Sequence, residues 1–334
     1  MRAPTFKQKI GCWLNERWRM ELALCAPSLA RRLGWEWPDL CNRHEIVSRC
    51  EDGIGRICHW KYSSFLTVCR FFPAMGGRLL RHCWLADVPA LDSPVSVILP
   101  VRGAERFEAV YFVAELLRRM AGPDSEVLVC EHDTVPRYAR ELPPGIRHVF
   151  VPAMEGAPFN KSKALNAGAM AARHPVLVLH DADVVPSADF LSHSMALLAA
   201  GWEAVRPIRF LFLLCEADSQ NYIRNAAGRG LQDIACVHQN FPGIATVLRR
   251  ETYLDIGGHD ERFEGCGWED QEFLDRLRTR KLYPGSFFTA IHLWHPPAAQ
   301  KQSGYYNAKL LEAILREPQP QRMETNRKKL GRPA

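Results

Sequence analysis

Val176-Leu-Val-Leu-His-Asp-Ala-Asp-Val-Val-Pro186 decides how this chain is read. Val176 to Leu179 is an unbroken apolar run, too short for a helix, and reads as a fully buried strand. It leads directly into Asp181-Ala-Asp183. In open α/β sheets the chemistry lies beyond the carboxyl ends of the strands. Two carboxylates one residue apart at that place are costly unless a cation sits between or beside them. A hard divalent ion, Mg²⁺ or Mn²⁺, shared with a diphosphate, is the natural occupant. The same residues also suit an ordinary turn, so the segments on either side have to decide.

Upstream, strands and helices alternate. Val95 to Pro100 reads as a strand. Glu105 to Met120 has helical periodicity, with Phe107, Val110, Tyr111, Ala114 and Leu117 on one face and Glu105, Glu108, Glu115 and Arg119 on the other. Glu126 to Cys130 and His148 to Val151 are further strands, and Ser162 to Ala172 is an alanine-rich helix. This order predicts an α/β fold with a mostly parallel, Rossmann-like sheet flanked by helices. No Gly-x-Gly-x-x-Gly follows the first strand, which excludes a standard dinucleotide site. Pro100-Val-Arg-Gly-Ala-Glu-Arg106 stands there instead, and Arg102 and Arg106 suit a nucleotide or its phosphates. Glu131, ending the second strand, is either an acceptor for a base or ribose or an ordinary loop residue. Phe159-Asn-Lys-Ser-Lys-Ala-Leu-Asn-Ala-Gly168 places Asn160 and Lys163 at a helix start, where anions are favoured. Lys161 and Lys163 there would neutralise charge on a leaving group. Asn166 and Gly168 would let that helix pack closely on its neighbours.

Downstream, an amphipathic helix spans 187–200 and a strand 204–214. The mixed segment 215–240, with Asn221, Asn225, Gly228 and Gly230, is expected to be a mobile loop over the site. A strand over 241–248, containing Gly243, precedes a short helix over 249–256. In Phe263-Glu-Gly-Cys-Gly-Trp-Glu-Asp-Gln-Glu-Phe273, Glu269 and Asp270 open a helix whose dipole keeps them ionised. Asp270 is therefore a candidate general base, or half of a helix-terminal charge pair. A strand over 287–293 ends in His292-Leu-Trp-His295-Pro-Pro. Its imidazoles converge if the chain turns at Trp294, and either would complete an ion's coordination. Tyr305 to Arg316 is a closing helix.

The 334 residues carry a net charge of +6, concentrated at the N-terminus: residues 1–90 hold 14 Lys/Arg against 8 Asp/Glu, and the remainder 29 of each. That balance argues against a nucleic-acid-binding core. It leaves a basic N-terminal face for an anionic lipid surface or acidic partner, or a merely solvated helical one. Residues 1–93 are expected to be a mostly helical, Cys- and Trp-rich extension, with Met20 to Leu33 a helix broken by Pro27. The catalytic domain is expected over 94–316 and a disordered basic tail over 317–334. The eleven cysteines include no Cys-x-x-Cys pair, and the N-terminus is polar and basic without an apolar h-region, so no signal peptide is expected. Reduced thiols and a cytoplasmic setting, with peripheral membrane contact through residues 1–90, follow as expectations. A zinc site among Cys12, Cys25, Cys41, Cys50, Cys58, Cys69 and Cys83 fits no standard spacing.

The order of motifs, Phe-Asn-Lys-x-Lys-x-Leu-Asn-x-Gly, Asp-x-Asp, Gly-x-Gly-x-Glu-Asp and His-x-x-His, resembles the GT-A glycosyltransferases. It is most similar to the β1,4-galactosyltransferase C-terminal-domain group and its bacterial family 2 relatives, over about residues 94–300. The resemblance implies an inverting, metal-dependent transfer of a hexose or N-acetylhexosamine from a UDP-sugar to a hydroxyl of a glycan or other acceptor. It places Pro100, Val101, Arg102 and Glu131 at the uridine nucleotide. Phe159, Asn160, Lys163, Asp181, Gly243 and Trp268 would line the donor site. Asp183, His292 and His295 would hold Mn²⁺ or Mg²⁺, His292 standing where the galactosyltransferases have Met. Asp270 matches the catalytic base, with Glu269 in support. Gly265-Cys-Gly-Trp-Glu-Asp270 departs from the family's Gly-Trp-Gly-Gly-Glu-Asp, and Cys266 takes the acceptor-side Trp position. A nucleotidyltransferase and a non-catalytic sugar-nucleotide or glycan-binding module are the other readings.

Overall fold

The computed structural model describes residues 5–33, 45–49, 56–60, 91, 93–225, 234–239, 242–265, 267–283, 288–296 and 304–331. The N-terminal part contains helices Phe6–Cys12, Trp18–Cys25 and Pro27–Arg32, the last two separated where Pro27 was expected to break the run. It is not wholly helical. β1 (Glu45–Arg49) and β2 (Arg56–Trp60) pair antiparallel, an element that the mostly helical expectation did not include. Both strands are rich in β-branched and aromatic residues, and Gly53 and Gly55 lie between them.

β3 (Ser96–Val101), β4 (Glu126–Asp133), β5 (Ile146–Pro152) and β6 (Val176–His180) form the parallel part of the main sheet. β3, β4 and β6 are buried along their whole length, as strands covered on both faces are. Helix Phe107–Ala121 covers one face with Val110, Val113, Ala114 and Leu117. Helix Lys161–Ala171 covers the other with Ala164, Leu165 and Ala169. The second helix lies so close that a Cβ on Gly168 would stand 2.4 Å from Ile98 Cγ2 and 2.7 Å from Cys130 Sγ, which is why glycine is needed there.

Further along come β7 (Val184–Pro186), β8 (Ala204–Val205), β9 (Ile208–Leu214), β10 (Ile234–Gln239), β11 (Ala245–Arg249), β12 (Leu282–Tyr283) and β13 (Phe288–His292). The main sheet has the order β12-β8-β11-β6-β3-β4-β5, with β11 antiparallel to β6 and β8. A second sheet has the order β10-β9-β13-β7. β6 belongs to the first sheet and β7 to the second, so Asp181-Ala-Asp183 is the corner where the chain crosses between them.

Two further expectations change. The 215–240 segment contains helix Glu216–Asn225 and strand β10, with 226–233 and 240 outside the described residues. The tail forms helix Gln319–Lys329. Its charge pattern suggests a solvated tail, but Arg322 is 2% exposed and donates to Glu272 Oε1 at 2.8 Å. The tail is ordered through a buried partner on helix Glu269–Leu277. Among the described residues no helix is long and apolar enough to cross a membrane.

Candidate active site

The first side of the cleft forms around Asp183, which is buried beside β7. Pairing of β13 with β7 sets His292 opposite Val184, and the Leu293 N–H donates to the Asp183 carbonyl at 2.9 Å. The chain then turns, as expected from Pro296. His292 Nε2 comes to 3.7 Å from Asp183 Oδ1, and His295 Nε2 to 3.2 Å from Oδ2. The Trp294 N–H donates to Ser219 Oγ at 2.7 Å, so helix Glu216–Asn225 braces the turn. Arg106, just ahead of helix Phe107–Ala121, donates from Nη1 to Asp183 Oδ2 at 2.9 Å. Burial opposes ionisation of Asp183, but the His295 hydrogen bond and the charges of His292 and Arg106 outweigh it and hold the carboxyl well below the usual carboxylate range.

The donor set fits a metal ion. One ligand atom each from Asp183, His292 and His295 lies within 4.8 Å of the others. His295 Nδ1 is 2.9 Å from the Pro296 carbonyl and must donate to it. With Nδ1 held in this way, Nε2 is the nitrogen that faces the Asp183 carboxylate and is the atom placed to bind a cation there. A ligating imidazole fixed through its other nitrogen is the usual outer-shell arrangement of metal sites.

The second side has the opposite balance. Lys161, the first residue of its helix, places Nζ 2.8 Å from Asp181 Oδ1, 3.2 Å from Asp270 Oδ2 and 3.9 Å from Glu269 Oε1. One ammonium thus serves three carboxylates. Burial disfavours the charge on Lys161, but the three carboxylates raise its pKa well above the usual value. Burial also pushes Glu269 up to about 8, with the Asp270 charge adding to the effect. Asp270 is held well below the carboxylate range: the charge of Lys161 is the largest effect opposing burial. The pair is thereby split into a protonated Glu269 and an ionised Asp270, the form a general base needs.

Gly243 belongs to the same side. A Cβ there would stand 1.8 Å from Asp270 Oδ2, and its φ of +82° already favours glycine. Trp268 precedes the Glu-Asp pair with φ +77° and is 45% exposed. A bulky residue in the left-handed region is strained and marks a site where the surroundings impose the conformation. The Gly265 N–H donates to the Phe159 carbonyl at 2.7 Å, tying this loop to the start of helix Lys161–Ala171. Cys266 lies outside the described residues.

The strand tops of β3 and β4 supply the third part. Pro100 and Val101 are buried in the β3–β4 ladder opposite Cys130 and Glu131. Arg102 Nη1 has no hydrogen-bond partner among the described residues. Glu131 is turned inward: fully buried, it accepts from the Arg137 and Tyr138 N–H groups and contacts His148 Nε2 at 2.7 Å. Its oxygens anchor the loop after β4. Asn160 is likewise used internally, accepting from the Lys163 N–H at 2.9 Å as helix N-cap and donating to the Glu261 carbonyl at 2.8 Å. His132 stands beside Phe159, ring centroids 6.1 Å apart. Burial, helped by the charges of Arg102 and Lys163, pushes its imidazole down to about 4.

Sequence reasoning missed His132 and His259. His132 follows Glu131 at a strand end, so strand alternation alone puts one of the two on each face. His259 carried no local signal, because its partner Asp270 is reached only through the fold.

No protein-family model and no curated protein matches the chain. Among solved structures it is similar to the catalytic domain of Drosophila β1,4-galactosyltransferase 7 in complex with xylobiose. The identity there is 18% and the TM-score 0.35, with 64% of this chain and 73% of that one covered. A variant of that enzyme holding manganese, UDP-Gal and xylobiose matches at 15% identity and TM-score 0.36, with the same coverage. A mannosyltransferase from Pyrobaculum calidifontis, in complex with GDP-Man and Mn²⁺, matches at 18% identity and TM-score 0.43, over 72% of this chain and 71% of that one.

Proposed function

We propose that this protein is a metal-dependent inverting glycosyltransferase of the GT-A type, using a UDP-sugar donor and a hydroxyl acceptor. One observation carries the reading: Lys161 ties Asp181, at the Asp-x-Asp corner, to Asp270, at the head of a helix 109 residues away from that lysine. A metal-ligand set and an ionised carboxylate base thus flank the same strand end. Two of the solved structures named above, which hold manganese with UDP-Gal or with GDP-Man, are in keeping with it.

The donor's diphosphate is received by Arg102, Arg106 and Lys163 and by the N-terminus of helix Lys161–Ala171. Asp183, His292 and His295 hold the ion, which when bound stabilises negative charge on the departing diphosphate. Asp270 takes the proton of the acceptor hydroxyl as that oxygen attacks the anomeric carbon. A single displacement inverts the centre. Glu269, kept neutral, spares Asp270 a second charge beside it. Trp268 offers an exposed aromatic face at the mouth of the cleft for a sugar ring. Glu131 acts through the loop it anchors, without touching the nucleotide. The transferred group is a hexose or N-acetylhexosamine, and the acceptor a glycan or another hydroxyl compound.

UDP release from a panel of UDP-sugars, with Mn²⁺, Mg²⁺ or EDTA, tests this. Metal-dependent release from one donor, lost in Asp183→Ala and in Asp270→Asn, is the expected result. Silence with every donor, together with no UDP or Mn²⁺ binding by calorimetry, would leave a non-catalytic module. Pyrophosphate in place of UDP would mark a nucleotidyltransferase.

The N-terminal helices support peripheral contact with an anionic lipid surface. Phe6, Ile10, Trp13, Leu14 and Trp18 are exposed at near-helical spacing, beside exposed Lys7 and Lys9. Aromatic and basic side chains of this kind settle at the headgroup boundary. Co-sedimentation with anionic but not with neutral vesicles, lost on Trp13→Ser with Trp18→Ser, is expected. Equal recovery on both vesicle types would remove this contact from the scheme.

A further inference from the structure

Asn166 fixes a series of proton positions that ends at Asp270. Its Nδ2 donates to the His259 carbonyl at 3.0 Å and to Glu261 Oε1 at 2.8 Å. Its Oδ1 therefore faces the other way, accepting from the His259 N–H at 2.9 Å and from the Tyr253 hydroxyl at 2.7 Å. Tyr253 has one hydroxyl proton, and Asn166 takes it. His259 Nδ1 lies 3.0 Å from the same phenolic oxygen. The imidazole must be the donor in that contact, as Nδ1–H. A neutral ring protonated there carries its lone pair on Nε2, and Nε2 faces Asp270 Oδ1 at 3.8 Å.

The ring cannot easily turn away. It stacks on Phe273 with centroids 4.0 Å apart and planes 9° from parallel, and its side chain is 2% exposed. The charged groups around it are Asp270, Lys161 and Arg276. Burial pushes the imidazole below its usual value, Asp270 pulls it up, and the two cations push it down. A neutral ring at rest follows. The 3.8 Å separation is longer than a hydrogen bond, as expected for a lone pair facing a carboxylate. A proton on Asp270 Oδ1 turns that repulsion into a hydrogen bond.

We propose that His259 is the positioning residue behind the base: its Nε2 lone pair, aimed by Tyr253 and Asn166, receives the proton that Asp270 takes from the acceptor. This rests on Asp270 being the base of glycosyl transfer. The acceptor O–H bond breaks, and its proton goes to Asp270 Oδ1 and is shared with or passed to His259 Nε2. The acceptor oxygen's electron pair forms the new bond to the anomeric carbon, and the old sugar–oxygen pair leaves with the diphosphate. No redox partner is needed. Lys161, on Oδ2, remains an ammonium throughout.

The test combines kinetics with a signal that needs no substrate. ¹⁵N-histidine spectra of the wild type, assigned by difference from His259→Gln, are expected to show His259 as a neutral Nδ1–H ring near pH 7, and Tyr253→Phe to lose that preference. His259→Phe is expected to keep the wild-type melting temperature and UDP affinity while kcat falls about 10- to 100-fold at unchanged KM. His259→Gln, whose amide oxygen can accept from Asp270, is expected to recover much of the loss. An imidazolium or an Nε2–H ring in the wild type overturns the proposal, as does an unchanged kcat in a folded His259→Phe. Absence of transfer by the wild type removes the glycosyltransferase reading itself, and this proposal with it. Transfer by the wild type that His259→Phe leaves intact removes this proposal alone.

Discussion

The two sides of the cleft solve opposite problems. Around Asp183, one carboxylate faces Arg106, His292 and His295. Around Lys161, one ammonium faces Asp181, Glu269 and Asp270. Both groups of charges are largely buried, where an unpaired charge is expensive. The first side is short of negative charge and long on lone pairs, which suits an incoming cation with its anionic ligand. The second is long on carboxyls and meets the excess with protons, so that Glu269 is protonated in the range where Asp270 is ionised. One strand corner thus separates a cluster suited to binding charge from one suited to moving a proton.

Removing the shared cation should disturb this contrast most. Lys161→Met leaves three carboxyls without a counter-ion, and a loss of about 3–5 kcal/mol at pH 8 is expected. Without the lysine all three folded-state pKa values rise, because its charge lowers each of them. Protonated carboxyls favour the folded state at low pH, and that support is lost as pH rises. The defect should therefore shrink toward pH 5, which denaturant melts at both pH values would show. On the other side, Asp183→Ala should cost at least about 100-fold in Mn²⁺ affinity, read by calorimetry, because it removes the one anionic ligand that outer partners orient. The two variants together would show whether the sides are independent, since distant sites add.

A smaller effect comes from the helix that carries Asp270. Arg322→Ala takes one of two guanidinium partners from Glu272, which Arg276 still holds. About 2 kcal/mol of stability is expected to go, measured by urea unfolding. The smallest effect should sharpen the comparison by sign. Glu269 has its folded-state pKa raised to about 8, above an unfolded value of about 4.3. The folded state then binds the extra proton, so stability falls as pH rises from near the unfolded value through the folded one. Glu269→Gln removes that slope. The variant should melt with the wild type near pH 5 and about 2–4 °C above it near pH 8. Parallel pH dependence in the two proteins would show that Glu269 is not the group titrating.

Much of this architecture was legible locally. The unbroken apolar run before Asp181 could only be a doubly covered strand. Asn160 ahead of Lys161 announced a helix start, and Gly168 a close approach, and each does so in the fold. Other residues were legible as chemistry but not as partners. Glu131 and Asn160 are polar residues at the expected place, yet both are consumed by backbone N–H and carbonyl groups of adjoining loops. The tail shows the same limit from the other side. Its composition suggests disorder, and a single buried guanidinium, meeting Glu272 across 50 residues of sequence, is among the contacts that order it.

By itself the sequence determined where most strands and helices of residues 94–316 lie, the 215–240 segment apart, and that acidic and imidazole side chains stand at their ends. Those follow from hydrophobic period and turn chemistry, which act over a few residues. Tertiary structure alone decided which of these groups meet. Pairing of β13 with β7 brings His292 and His295 to Asp183. The Asn166–Tyr253 contact aims His259 at Asp270. Lys161 becomes the common partner of three carboxyls from two separate segments. Buried charges settle only when every neighbour is in place, because each one's protonation depends on all the others within a few ångströms, and no local pattern carries that sum.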